Sequence, residues 1–358
     1  MRIGILTGGG DCPGLNTVIR AVALTLFAHD YQVIGFFDGF SGLVENKYIF
    51  LEHTHISGLL HRGGTILGTN NRNDPFHFPV DENGKIIYRD MSDEVVRNLH
   101  NLGIQTLIVI GGDGTLAVAR DLYNKGVKVV GVPKTIDNDL PATDQTFGFD
   151  TAVSVATEAL DRLHTTAESH HRVMVLELMG RYAGWIALQS GIAGGADVIL
   201  IPEINWSIEQ VAQKINERIA HGKLFSIVVV AEGAKSPSGK MVVRQNITNS
   251  ADPLRLGGIA NLVGQLIEQF TAIETRVTVL GHIQRGGSPT SFDRVLATRF
   301  GVAAANAAIE QNNGIMVCLQ GWNVGTVKLE EAATKTKTVP PSCQLIQAAR
   351  AIGISFGD

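Results

Sequence analysis

The feature that most constrains how this chain can fold is the run GGDGT at residues 111–115. It follows an apolar, β-branched stretch, IQTLIVI (residues 104–110), and gives way to apolar residues at helical spacing over residues 116–123. A short β-branched run that breaks into glycines and then into a helical pattern reads as strand, tight loop, helix. The chain opens with the same layout: RIGIL (residues 2–6), TGGGDCPG (7–14), then a helical pattern over 15–27 that carries Arg20. Such loops leave backbone N–H groups free at a helix N-terminus, where they can hold phosphate oxygens, and glycines let the backbone come close. Asp113 cannot be there to face a phosphate, and a carboxylate in that place suits a Mg²⁺ that travels with the phosphates. A tight βα connection with a solvated acid has the same sequence. Neither loop has the GxGxxG spacing of dinucleotide sites or the GxxxxGK[ST] of P-loops, so nicotinamide chemistry and the P-loop NTPases both lose support.

The alternation continues along the chain. Strands are expected near residues 33–37, 127–133, 173–178, 197–201, 225–231, 277–280 and 315–319. Helices are expected over 92–102, opened by Ser92 with Asp93 and Glu94, and over 152–166, 182–192, 208–221 (Ser207 as N-cap) and 256–270, with two more towards the C-terminus. Strands alternating with helices predict an α/β fold with largely parallel sheets. A length of 358 residues is long for one core, and a boundary near Phe147 divides the pattern. Residues 62–72 (RGGTILGTNNR) form a polar, glycine-rich loop whose ordering cost points to function, and residues 235–252 read as a mobile surface insertion.

A formal net charge of −4 argues against a general nucleic-acid binder, so an anionic ligand must be held by local arginines. No apolar run reaches membrane-spanning length, no signal peptide is evident, and Cys12, Cys318 and Cys343 form no metal-ligand spacing. A cytoplasmic protein, with no nucleic acid and no membrane as partner, is the expectation. Cys12 sits in a glycine-rich loop and reads as a small buried thiol.

In parallel α/β sheets, ligands bind at the carboxyl ends of strands. The loops there supply glycine for phosphate approach, Asp for metal or proton transfer, and Arg and His for anions. That set suits phosphoryl transfer, in which catalysis is positioning plus neutralisation of charge on the transferring group. TIDND (residues 135–139) offers two carboxylates two residues apart, pointing the same way in an extended loop. One can take a proton from a substrate hydroxyl while the other binds metal or fixes the loop, although an Asx-rich turn has the same composition. His170 and His171, placed at the start of a strand, read as packing or hydrogen-bonding residues.

Taken together and in order, nine stretches resemble the 6-phosphofructokinase family over nearly the whole chain. They are GGGDCPG from Gly8, DGF from Asp38, RGGTILGT from Arg62, GGDGT from Gly111, PKTIDND from Pro133, AESHHR from Ala167, MGR from Met179, AEG from Ala231 and LGHIQRGGSP from Leu280. The resemblance implies two Rossmann-like three-layer domains: residues 1–147 plus 283–333 for ATP, and residues 148–282 plus 334–358 for fructose 6-phosphate. It implies ATP across Gly10, Phe40, Arg72, Gly112, Asp113, Gly114 and Thr115, with Asp113 on Mg²⁺. Asp137 is then the general base for the 1-hydroxyl of fructose 6-phosphate, with Thr135 and Arg181 stabilising the transferring group. Met179, Gly180, Arg181, Glu232, His282 and Arg285 hold the sugar phosphate. Arg172 and Arg276 match arginines that reach in from a neighbouring subunit, which implies a homodimer or homotetramer.

Two departures bear on the donor. Gly114 matches the ATP-dependent members, because an acid there would crowd and repel the α-phosphate; Lys134 matches the pyrophosphate-dependent members. A lysine can coexist with a nucleotide and an acid facing its α-phosphate cannot easily do so, which favours ATP. Phe40 stands where the regulated bacterial type has tyrosine. At that type's effector site this chain has Leu24, His53, His164 and His221, with only Arg20 and Lys223 basic and Asp197 in place of a glutamate. Weak or altered response to ADP and phosphoenolpyruvate is expected.

Overall fold

The computed structural model describes residues 1–70, 73–236, 239–246, 254–332 and 335–358. Arg72 and much of the 235–252 insertion therefore lie outside the described residues. The first half runs β1 (Arg2–Thr7), α1 (Leu15–Phe27), β2 (Gln32–Phe36), α2 (Phe40–Val44), β3 (Tyr48–Leu51), α3 (His53–Ile56), β4 (Phe78–Glu82), β5 (Lys85–Arg89), α4 (Ser92–Asn101), β6 (Ile104–Gly111), α5 (Asp113–Asn124) and β7 (Val129–Pro133). The long helix α6 (Phe149–His170) then leads to β8 (Val173–Leu178), α7 (Trp185–Ala193), β9 (Val198–Leu200), α8 (Ile208–Ala220), β10 (Ser226–Ala231), β11 (Val243–Asn246), β12 (Leu254–Leu256), α9 (Ile259–Thr271) and β13 (Thr275–Val279). Helix α10 (Ser291–Ile309), β14 (Ile315–Gln320), β15 (Asn323–Lys328), α11 (Leu329–Ala332) and α12 (Gln344–Ala351) follow.

These elements build two principal sheets. The larger has the order β15-β14-β7-β6-β1-β2-β3, and the smaller has the order β13-β8-β10-β9. All pairings in the smaller sheet are parallel, and so are those from β14 to β2 in the larger. This is the expected α/β class. The outer strands β3 and β15 pair antiparallel, and β4 with β5 forms a separate hairpin. None of these four strands was legible in the sequence, because each is short and only half-buried and so lacks a continuous apolar run.

From β1 the chain turns one way to β2 and the other way to β6, so the larger sheet has its topological switch point between β1 and β6. The two glycine-rich loops leave the carboxyl ends of just these strands. In an open parallel sheet that is where a ligand crevice forms. One core, between the two sheets, gathers α1, α6, α7 and α10. A second lies under α4 and α5, and a third under α8 and α9. The chain passes between sheets through α6 and α10, and its C-terminus returns to the smaller one, where Ser355 bridges to Val198.

Two expectations are corrected here. Helix α5 begins at Asp113, so Asp113 and Gly114 are its first turn rather than loop. Helix α6 extends to His170, and His171 closes it at φ 53°, so the histidine pair ends a helix instead of opening a strand. The left-handed closure is a common helix stop that a non-glycine residue conceals in sequence.

Helices α1 and α10 meet closely at Gly301 of α10. A Cβ there would lie 2.7 Å from the Ala21 Cβ and 2.9 Å from the Val18 carbonyl of α1. Gly301→Val must push α1 away from α10, and a loss of about 1–3 kcal/mol in folding stability is expected by chemical denaturation.

Candidate active site

Gly8 donates to the carbonyl of Ile110 (2.9 Å), which joins the ends of β1 and β6 and sets the two loops side by side. Thr115 is packed between them. A Cβ on Gly8 would come within 2.7 Å of its side chain and one on Gly111 within 2.3 Å, so these two positions admit only glycine. Gly112 precedes α5 in an extended conformation, and Asp113 and Gly114 are exposed at the helix start. The first N–H groups of α5 lack intrahelical partners, and they open onto the crevice.

The 59–69 loop is fixed on α1 by buried polar residues. Asn16 donates to the carbonyls of Arg62 and Gly63 (both 3.1 Å) and accepts from the Ile66 amide (2.8 Å), and Thr17 donates to Leu60. Thr69 donates to the Gly9 carbonyl (2.6 Å). Asn16 and Thr17 had no sequence signal beyond two adjacent polar residues in the first turn of a largely apolar helix, and that anomaly is the one which could have found them.

Arginine and lysine side chains converge on the first glycine loop. Lys134, buried at the end of β7, donates to the Gly10 carbonyl, and Arg285 donates to the Asp11 carbonyl (3.2 Å). A Cβ on Gly10 would stand 2.7 Å from the Arg285 guanidinium. Burial pulls the Lys134 pKa down.

Asp137 is 2% exposed, and its Oδ1 has no hydrogen-bond partner. Thr135 Oγ1 accepts from the Asp137 amide (3.1 Å) and lies 3.4 Å from Oδ2, a tight local turn that fixes the carboxylate. Burial pushes the Asp137 pKa up, opposed by the charges of Arg285, Arg181 and Lys134. Asp139 is raised to about 7 by burial and by its neighbours Asp137 and Asp113.

From the smaller sheet, Met179, Gly180 and Arg181 follow β8, and Glu232 follows the adjacent β10. Glu232 accepts from the amides of Gly180 (3.3 Å) and Arg181 (3.1 Å), which adopt φ 148° and 51°. Gly233 must lack a side chain, because a Cβ there would lie 1.8 Å from the Arg181 carbonyl. Burial lifts Glu232 to about 7. The Arg181 guanidinium reaches back across the crevice to Asp113 (3.7 Å). Thus Gly10, Gly112, Asp113, Gly114, Thr115, Lys134, Thr135, Asp137, Arg181, Glu232 and Arg285 border one crevice. His282 is exposed in the turn Gly281–Arg285.

Three expected residues stand apart. Phe40 is 4% exposed and packs in the core under α4 and α5, so it offers little open ring for stacking. Arg172 and Arg276 flank Glu274 at the amino ends of β8 and β13. That is a strand length, about 20 Å, from Arg181 on the same chain. In the region matched to the effector site, Asp197 pairs with Arg218 (2.7 Å), and His164 and His221 engage the backbone carbonyls of Gly194 and Glu217. Cys12 is buried and its thiol is pushed up to about 12, as expected for an inert packing residue.

Comparison with known proteins decides the family. The family model described as Phosphofructokinase matches residues 2–308. The chain belongs to the phosphofructokinase family. It is thereby a phosphotransferase acting on an alcohol group. The "ATP-dependent 6-phosphofructokinase 2" of Clostridium perfringens is 55% identical over 360 residues, covering 100% of this chain and 98% of that protein. The "Pyrophosphate--fructose 6-phosphate 1-phosphotransferase" of Amycolatopsis methanolica is 49% identical, covering 95% of this chain and 97% of its own. Among solved structures, the phosphofructokinase of Saccharomyces cerevisiae superposes with a TM-score of 0.79 at 30% identity; the match spans 93% of this chain and 45% of that longer one. No helix among the described residues is long and apolar enough to cross a membrane.

The buried acids of this phosphofructokinase-family site make its stability pH-dependent in a defined sense. The folded state holds the Glu232 proton up to about 7, against 4.5 for an ordinary glutamate. The stability contributed by this group is therefore fully present below the ordinary value and is lost as pH rises through about 7, with Asp139 adding to the same trend. The melting temperature of the ligand-free protein is expected to fall between about pH 4.5 and 7.5. Glu232→Gln should flatten part of that fall, as read by calorimetry.

Proposed function

We propose that the chain is an ATP-dependent 6-phosphofructokinase of the cytoplasm that transfers the γ-phosphoryl group of ATP to the 1-hydroxyl of fructose 6-phosphate. The carrying observation is Asp137, buried with Oδ1 unpartnered, between the open start of α5 and the guanidinium groups of Arg181 and Arg285. A carboxylate so placed can accept the hydroxyl proton as the oxygen attacks. Its burial raises its basicity, which favours taking up that proton. Arg181 and the N–H groups of α5 neutralise charge on the transferring group, and Thr135 holds the base in position. Gly180, Arg181, Glu232, Met179, His282 and Arg285 bind the sugar phosphate, and Gly10, Gly112, Gly114, Thr115 and Arg72 bind the nucleotide.

Asp113 fits a Mg²⁺ ion. Its carboxylate is exposed at the helix start, and among the described residues no group of three or more His, Cys, Asp or Glu side chains gathers to form a protein-only metal site. One carboxylate plus phosphate oxygens and water is the usual way Mg²⁺ is held, and the ion when bound neutralises phosphate charge. Residues 1–147 plus 283–333 serve as the ATP-binding domain, and residues 148–282 plus 334–358 as the sugar-phosphate domain. Arg172 and Arg276, turned away from their own crevice, complete that of a neighbour in a homodimer or homotetramer. Of the two sequence relatives named above, the ATP-dependent one is the more similar, at 55% against 49% identity, which supports ATP as donor. A pyrophosphate-dependent reading rests on Lys134, whose ammonium lies beside Gly9 and Gly10.

Initial rates with Mg²⁺, fructose 6-phosphate and either ATP or pyrophosphate separate the two. Turnover with ATP alone is expected; turnover with pyrophosphate alone would reverse the donor assignment. Gly114→Asp should lower kcat/KM for ATP by at least about tenfold through repulsion at the α-phosphate. Asp137→Asn should lower kcat by about 10²–10⁴ while sugar-phosphate binding persists.

A further inference from the structure

Lys337 lies in the segment that crosses back from the larger sheet to the smaller one, far in sequence from every loop named above. Its ammonium donates to Asn138 Oδ1 (3.1 Å) and to the carbonyls of Thr143 (2.8 Å) and Asp144 (3.1 Å). All three donors of the group are thereby used. Its own amide donates to the Asp139 carbonyl (2.7 Å). Lys337 thus grips the connection that carries Asp137 at Asn138, Asp139, Thr143 and Asp144, all on the C-terminal side of the carboxylate.

We propose that Lys337 is a positioning residue for phosphoryl transfer, holding the 135–144 connection so that the Asp137 carboxylate faces the crevice. This rests on the reading of Asp137 as the base. Asn138 adopts φ 51°, a left-handed conformation that a non-glycine residue holds only when its surroundings enforce it. The Asn138 side chain is locked from two directions, by the Lys337 ammonium and by the Thr146 amide (3.1 Å). The turn at Asn138 sets the direction of Asp137, its immediate neighbour.

The same segment ties this connection to the other half of the crevice. The Trp185 indole donates to the Lys337 carbonyl (2.8 Å), and its ring lies 5.9 Å from the Lys337 ammonium. Glu203 Oε1 accepts both the Val339 amide (2.8 Å) and the Gly184 amide (3.0 Å). Trp185 and Gly184 directly follow the Arg181 turn. Lys337 and its neighbours therefore set the base and the Arg181 guanidinium in one frame. A half-buried lysine whose charge is partly desolvated is an expensive way to gain stability alone.

The test compares Lys337→Met, Lys337→Arg and Asp137→Asn in the full chain, by steady-state kinetics with ATP and fructose 6-phosphate and by thermal melting. For Lys337→Met, a fall in kcat of about 10–100-fold is expected, as for a misplaced reacting group, with both KM values within about threefold of wild type. Lys337→Arg, which keeps charge and donors, should recover at least a third of the lost kcat on a logarithmic scale. Wild-type kcat in folded Lys337→Met overturns the proposal. So does a Lys337→Arg protein that melts as wild type yet is as impaired as Lys337→Met. If Asp137→Asn retains turnover, the reading of Asp137 falls instead, whatever the Lys337 variants show.

Discussion

A carboxylate taken out of water is the constraint on which this site depends. Asp137 is buried with one oxygen unpartnered, and an isolated charge there would be neutralised by its surroundings. Burial pushes its pKa up, and what opposes that rise is cationic charge brought from separate parts of the chain. Lys134 comes from the end of β7, Arg181 from the turn after β8, and Arg285 from the turn before α10. No two of these share a loop. The two sheets have to be held at a fixed separation for the three to converge, and α1, α6, α7 and α10 fill the space between them with one continuous core. Burial in that core and charge at its rim are therefore parts of one arrangement.

The larger sheet contributes the other half of the geometry through its strand order. Because β1 and β6 are neighbours from which the chain departs in opposite directions, their loops cannot be covered by each other's crossover helices. Glycines at 8 and 111 then bring those loops close enough to enclose Thr115. The smaller sheet answers with Glu232, which braces the two left-handed residues of the Gly180–Arg181 turn through their amides.

Much of this was legible in sequence because strand–glycine loop–helix units announce themselves by a change of period. The buried parallel strands, the helices behind them and the crevice residues at their ends were all readable in that way. The edge strands β3 and β15 and the β4–β5 hairpin were not, since half-exposed strands of four to six residues carry no continuous apolar run. Phe40 was matched by motif to a binding role, but burial is a tertiary property, and a phenylalanine at the start of a short helix looks the same whether it faces a ligand or a core. Lys337 sits in a polar stretch, TKTKT, in which one lysine resembles the next. Only the fold decides which of them meets Asn138.

Cys12 lies within the loop that turns at Gly10, where a low-pKa thiol would be exposed to oxidants and alkylating agents. Its Sγ instead faces the Phe147 carbonyl and the backbone at Gly148, and burial carries its ionisation to about 12. Electrophiles and peroxides attack the thiolate, of which almost none exists at neutral pH. The glycine loop thus carries a sulfur atom that packs as a hydrophobe and is inert to the redox state of its surroundings.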